Sequence, residues 1–243
     1  MKLAIDIGNT SITCGLFEDE STINRFRINK INQLHNHIGN DLSKKVNKIV
    51  ISSVVPDLTK EYVSYLKSKN INKIRLIDYK TTNLVLKVTH PETVGNDRIS
   101  NMFAVLKLYN CPAIIVDFGT ATTYDVINVN HEFIGGAIGA GIKTSADYLI
   151  NNAALLSKTD LQVPDKVIGI DTKENIQSGI MFGAIDQVEG MIKRIKKECD
   201  DKYTLILTGG FSKLLSPHLT MNHVLDMNLT LKGMYYIDEL NND

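Results

Sequence analysis

Two short stretches place an aspartate, a spacer and a glycine at the end of an apolar run and follow them with small hydroxyl and amide side chains. The first is AIDIGNTSIT at 4–13, with Asp6, Gly8, Asn9, Thr10 and Ser11; the second is VDFGTATTYDV at 116–126, with Asp117, Gly119, Thr120, Thr122 and Thr123. One such stretch needs no more than a structural hairpin, because Gly and Asn both tolerate positive φ. Two of them, with aspartates at 6 and 117 of 243 residues, point to a duplicated unit. Paired hairpins facing across a cleft suit a polyphosphate. Backbone N–H groups and hydroxyls meet the phosphate oxygens, glycine permits the close approach, and the carboxylates manage the cations, Mg²⁺ preferring Asp with water and phosphate oxygens.

Asp97 is a third candidate. It directly precedes a helical pattern that opens near Arg98, with Ile99, Met102, Phe103, Leu106 and Tyr109 at helical spacing and Pro112 as a stop. Local sequence leaves it two roles, cap of that helix or catalytic carboxylate. Arg98 is either a solvated or ion-paired side chain or a forked receiver of an anionic substrate. GGAIGAG at 135–141 is either a tight turn or a close backbone approach to a ligand. TGG at 208–210 reads as a strand exit, with Gly209 and Gly210 as weaker nucleotide contacts.

The elements that must position these residues follow from periodicity. Strands are expected at 2–7, 12–17 and 22–28, a meander, then a polar helix over 31–45, a buried strand at 47–55, a helix at 57–69 and a strand at 72–78. After the helix that closes near 109 the meander repeats, in PAIIVDFG, TYDVINV and EFIGGAI, followed by a helix over 143–155. A long helix carries Ile176, Ile180, Ala184, Val188 and Ile192, and YTLILTGGF at 203–211 is a further strand. The alternation is that of an α/β protein with two halves, 1–110 and 111–243, joined by a packed hinge and no flexible tether.

Composition excludes several classes. Lys plus Arg equals Asp plus Glu at 27 each, so no net charge draws the chain to nucleic acid or to anionic lipid. No stretch approaches a membrane span, and Met1 leads straight into a strand without the pattern of a secretory signal, so the cytoplasm is expected. Cys14, Cys111 and Cys199 are odd in number and far apart, and His35 with His37 lacks a third ligand. Neither a disulfide nor a zinc site is inferred.

In order and spacing, DIGNTSITCGLF at 6–17, SSVVP at 52–56, GNDR at 95–98, DFGTATTYD at 117–125, GGAIGAG, DTKENIQSG at 171–179 and TGG resemble the type III pantothenate kinases. These belong to the acetate kinase, sugar kinase, Hsp70 and actin superfamily. The resemblance spans nearly the whole chain. It implies two duplicated ribonuclease H-like (actin-like ATPase) domains with a nucleotide cleft between them. It also implies ATP-dependent phosphorylation of pantothenate, the first step toward coenzyme A, by a homodimer needing Mg²⁺ and a monovalent cation, K⁺ or NH₄⁺. Carried over by position, Asp6, Ile7, Gly8, Asn9, Thr10, Ser11, Ile12 and Thr13 form the first phosphate loop, with Asp6 holding Mg²⁺ directly or through water. Thr120 is a phosphate contact and Asp117 the monovalent-cation ligand. Gly95, Asn96, Asp97 and Arg98 form the pantothenate segment with Thr172, and Asp97 is the catalytic base. The chain departs from the family at Val88, where a tyrosine is usual, and at Ala140, where a proline is usual. Two other functions fit the same pattern: another small-molecule kinase of the superfamily, or a non-catalytic ATP-binding regulator.

Overall fold

A computed structural model describes residues 1–20, 23–39, 42–153, 156, 159–199 and 202–241. By contact the chain divides into two units, Met1–Tyr109 with Asn228–Asp243, and Asn110–Met227.

In the first unit β1 (Lys2–Ile7), β2 (Ile12–Phe17) and β3 (Ile23–Ile28) form an antiparallel meander. On the other side of β1 lie β4 (Lys48–Ser53) and then β5 (Ile74–Leu76), both parallel to it, in the order β3-β2-β1-β4-β5. Parallel neighbours require a crossover, and α3 (Pro56–Ser68) makes it between β4 and β5. The polar helix expected over 31–45 is interrupted: a 3-10 turn at Ile31–Gln33 leads into α1 (Leu34–Ile38), with α2 (Leu42–Lys45) after it and residues 40–41 outside the described residues. In α1 only Leu34 and Ile38 are buried, too small an apolar face to carry one long helix. A two-residue strand β6 (Val85–Leu86) precedes α4 (Asn96–Leu108), and α8 (Leu229–Leu240) completes the unit.

Alternation along β1 sets Leu3, Ile5 and Ile7 on one face and Lys2, Ala4 and Asp6 on the other. The first set packs with Ile49 and Ile51 of β4 and with Tyr62 and Leu66 of α3. The second faces α8, because the Lys2 ammonium meets Asp238 at 2.7 Å. Covered on both faces, β1 reads as a nearly continuous apolar run that admits a carboxylate only near its end.

The expected C-terminal domain, 111–243, departs from the structure at its end: residues 228–243 belong to the first unit. The reason is a buried ion cluster. Asp238 is fully buried and receives Lys2 and Lys48 at 2.7 Å and Arg75 Nε at 2.8 Å, so α8 is fastened to β1, β4 and β5 together. Burial alone would raise the Asp238 pKa. Hydrogen bonds from the three cations, and the nearby Lys2 charge, outweigh it and hold the carboxyl below its ordinary range. Thr230 of α8 also donates to Asn101 Oδ1 of α4 at 2.8 Å, so α8 braces α4 in turn.

The second unit repeats the plan. Strands β7 (Ala113–Phe118), β8 (Ala121–Ile127) and β9 (Glu132–Ala140) form an antiparallel meander. Beyond β7 lie β10 (Thr204–Gly209) and β11 (Val224–Leu225), both parallel to it. Helices α5 (Ile142–Asn152), α6 (Thr172–Cys199) and α7 (Ser212–Leu215) accompany them. The expected end of α5 at 155 lies outside the described residues. In α6 the buried stripe is Ile176, Met181, Ile185, Val188 and Ile192, while Ile180 and Ala184 pack beside it partly exposed. Among the described residues no helix is long and apolar enough to cross a membrane.

Candidate active site

In the first unit Asp6 is the fifth residue of a six-residue strand, paired across β1–β2 with Thr13 and across β1–β4 with Ser52. The Ser52 hydroxyl is fully buried and donates to Asp6 Oδ1 at 2.9 Å. Beyond Asp6 the hairpin closes with Gly8 N–H donating to Ser11 C=O at 3.1 Å, leaving Asn9, Thr10 and Ser11 exposed at its tip. Ile7 and Ile12 are core residues, so the loop offers a ligand only their backbone groups. Burial first, and then the Asp6 carboxylate, push the Cys14 thiol far above its usual range, which removes it as a nucleophile.

Strand β4 also fixes the acceptor segment. Its last residue, Ser53, accepts a hydrogen bond at its carbonyl from Asn96 Nδ2 at 2.9 Å, tying the start of α4 to the strand end next to Ser52. Asp97 is not the cap of this helix. The cap position is Gly95, without a side-chain cap, and Asp97 lies inside the first turn, where a carboxylate is favoured by the helix dipole. Its Oδ1 accepts from Arg98 N–H at 2.8 Å. A Cβ on Gly95 would stand 2.5 Å from that same oxygen, so glycine is what leaves room for the carboxylate to turn back over the helix start. A cavity of about 550 Å³ opens beside Asn96, lined by Ser53, Thr59, Val63, Leu76 and Asp78 among others.

In the second unit Asp117 is the fifth residue of β7, paired with Thr123 of β8 and with Thr208 of β10, the same register as Asp6 in its own sheet. Gly209 follows Thr208 with φ of 89°, and a Cβ there would stand 2.3 Å from Asp117 Oδ1 and 2.5 Å from Phe118 N. Only glycine lets this backbone reach the carboxylate. Gly210 N–H donates to Phe118 C=O at 2.9 Å, so the glycine pair lies against the strand end that carries Asp117. Thr120, exposed at the hairpin tip, accepts at its carbonyl from Gly141 N–H at 3.0 Å and from Thr144 Oγ1 at 2.7 Å, which docks the start of α5 on the hairpin. Thr172 is the exposed first residue of α6, and Asp171 before it accepts from Glu174 N–H at 2.8 Å as the cap.

The donor sets fit hard cations that share their ligands with phosphate. Among the described residues no three His, Cys, Asp or Glu side chains form a metal-holding group. A lone carboxylate held in place, as Asp6 is by Ser52, suits Mg²⁺, which keeps waters and phosphate oxygens around one or two carboxylates. At Asp117 the Gly209 backbone is pressed against the carboxylate, in a space that a Cβ would fill.

A family model described as type III pantothenate kinase matches residues 2–194. This chain belongs to the type III pantothenate kinase family. The match covers both hairpins, the Gly95–Arg98 segment and Thr172. A type III pantothenate kinase of Sulfurihydrogenibium sp. is 37% identical over 98% of this chain and 100% of its own, and that of Halalkalibacterium halodurans 35% over 99% and 100%. Among solved structures, the activator of 2-hydroxyisocaproyl-CoA dehydratase from Clostridium difficile, with bound ADPNP, superposes at TM-score 0.57. It is 11% identical, covering 99% of this chain and 95% of that one, so the likeness is one of fold. A candidate Baf family transcriptional activator from Campylobacter jejuni superposes at TM-score 0.62 with 23% identity and 98% coverage of both chains. The fold is thus the two-domain ribonuclease H-like one of actin-like ATPases and sugar kinases, and as a type III pantothenate kinase the chain is an ATP-dependent phosphotransferase.

The role of Ser52 is one the motif did not disclose. It lies in the SSVVP stretch, where an apolar run reads simply as a buried strand, and its hydroxyl partner is 46 positions away.

Proposed function

We propose that the chain transfers the γ-phosphoryl group of ATP to the primary hydroxyl of pantothenate, opening coenzyme A biosynthesis, with Asp97 as general base. The observation that carries this is the seat of Asp97, in the first turn of a helix tied through Asn96 to the strand end beside the Asp6–Ser52 pair. Asp97 orients the acceptor hydroxyl and takes its proton as the new P–O bond forms. Gly95, Asn96, Arg98 and Thr172 contact pantothenate, the Arg98 guanidinium being suited to a carboxylate. The backbone and hydroxyls from Asp6 to Thr13, with Thr120, hold the phosphates. Mg²⁺ at Asp6 neutralises phosphate charge when bound. Incubating the purified protein with ATP, Mg²⁺, K⁺ and a panel of small alcohols tests the substrate: pantothenate is expected to be phosphorylated well ahead of the rest, and equal use of sugars or glycerol would overturn the assignment.

Asp117 holds the monovalent cation in this reading, because a carboxylate at the phosphate hairpin repels ATP unless a cation offsets it. Replacing K⁺ or NH₄⁺ by Na⁺ or a bulky ammonium at constant ionic strength is expected to weaken ATP binding or turnover sharply. Equal rates in all salts would remove the cation role.

The enzyme is a homodimer in the cytoplasm, where ATP is available and cysteines stay reduced. Apolar side chains on the second unit support pairing with a second copy: Ile138 is 64% exposed, Tyr148 72%, Ile168 84% and Ile170 92%. Light scattering is expected to give twice the 27.1 kDa chain mass at micromolar concentration. A monomer with full activity would contradict it.

A further inference from the structure

We infer that Ser52 is a positioning residue for the metal-binding carboxylate of Asp6, a proposal that rests on the reading of Asp6 as the Mg²⁺ ligand. Ser52 is a fully buried polar residue in the middle of a sheet, on a strand whose other residues are mostly apolar. The parallel register sets it directly across from Asp6, on the same face, and its hydroxyl gives the only proton it has to Asp6 Oδ1 at 2.9 Å. A carboxylate at a strand end has two side-chain torsions that its hydrogen bonds must set. A buried donor on a rigid strand fixes the plane of the carboxylate before the metal arrives. That is the arrangement in which outer partners of metal ligands act. The second half sets a hydroxyl residue in the same register: Thr208, only 1% exposed, is the β10 partner of Asp117 across β7–β10. Two sheets that place a buried hydroxyl residue opposite the hairpin aspartate point to a requirement of the aspartate and not to local packing of one strand. Ser53 makes the second half of the strut, since its carbonyl receives Asn96, so one strand end sets both the metal carboxylate and the helix that bears the base.

Calorimetric titration of ATP, once with Mg²⁺ and once with EDTA, tests the proposal without using turnover. The quantity read is the factor by which Mg²⁺ strengthens ATP binding, compared among wild type, Ser52→Ala, Ser52→Thr, Asp6→Ala and the Ser52→Ala/Asp6→Ala double variant. Ser52→Ala is expected to cut that factor by about 10- to 100-fold, with ATP binding in EDTA unchanged. Ser52→Thr, which keeps the hydroxyl and matches the residue at the equivalent position of the other sheet, retains the factor. In the Asp6→Ala background the Ser52 change has no further effect, because the two act as one unit. An unchanged factor in Ser52→Ala, a Thr variant as weak as Ala, or an equal loss with and without Asp6 would each overturn the positioning role. Should Asp6→Ala itself keep the full factor, the metal role of Asp6 falls and the positioning role with it.

Discussion

Asp97→Asn is expected to lower kcat by about 10²- to 10⁴-fold, the contribution usual for general acid–base catalysis, while Tm and ATP affinity stay close to wild type. The expectation rests on geometry that separates structure from chemistry. Asp97 lies within α4 and does not cap it, and what its carboxylate does locally is accept the Arg98 N–H. An asparagine amide oxygen also accepts that hydrogen bond, keeps the side-chain volume and still fits the space that Gly95 leaves, at the cost of only the small helix-dipole contribution of a first-turn charge. It cannot take a proton from an alcohol. An alcohol attacking phosphorus through a loose transition state needs orientation and a proton acceptor as the bond forms, so the loss falls on kcat. A steady-state comparison at saturating ATP and pantothenate checks this. If the Asn variant turns over near the wild-type rate, the base lies elsewhere.

Asp238→Ala is expected to cost about 3–5 kcal/mol of stability, because it leaves Lys2, Lys48 and Arg75 without the carboxylate they surround. For a chain of this size that lowers Tm by on the order of 10 °C. Its cause is the position of α8, which reaches back to the first sheet and braces the helix that carries Asp97. Residual activity per folded molecule is therefore expected to fall less than stability does. The same cluster gives a pH signature. The folded-state pKa of Asp238 lies below the unfolded one, so its contribution is complete above the unfolded carboxylate range, near pH 4, and is lost as pH falls through the lower folded value. Wild type should lose this part of its stability only in acid, and Asp238→Asn should lack that acid-side slope. Thermal unfolding of both proteins between neutral and acidic pH decides it, and parallel profiles would show that Asp238 is not held below its ordinary range.

Both hairpins and the repeated meander were legible because their information is local: period-two apolar runs, then aspartate and glycine at a strand end. The repeat of that pattern at Asp117 turned one ambiguous turn into a fold. What escaped was carried by pairs far apart in sequence. Asp238 reads as a solvated residue near the end of a helix until Arg75, 163 positions away, and the strand lysines are brought to it by the sheet. This is why contact groups the last helix with the first unit while sequence order sets it in the second half. The helical pattern read from the sequence opens near Arg98 and so sets Asp97 just before the helix, but the helix starts two residues earlier, at Asn96, whose side chain finds the Ser53 carbonyl only after β4 is in place. Ser52 is the same case in miniature.

Phosphorylation of pantothenate on its primary hydroxyl at the expense of ATP is read directly by phosphorus NMR of a reaction containing pantothenate, ATP, Mg²⁺ and K⁺. One new phosphomonoester resonance is expected, coupled to the methylene protons of the primary alcohol and growing in step with ADP. ADP without that resonance, or tight ATP binding with neither product, would contradict it and leave an ATP-binding protein of another function.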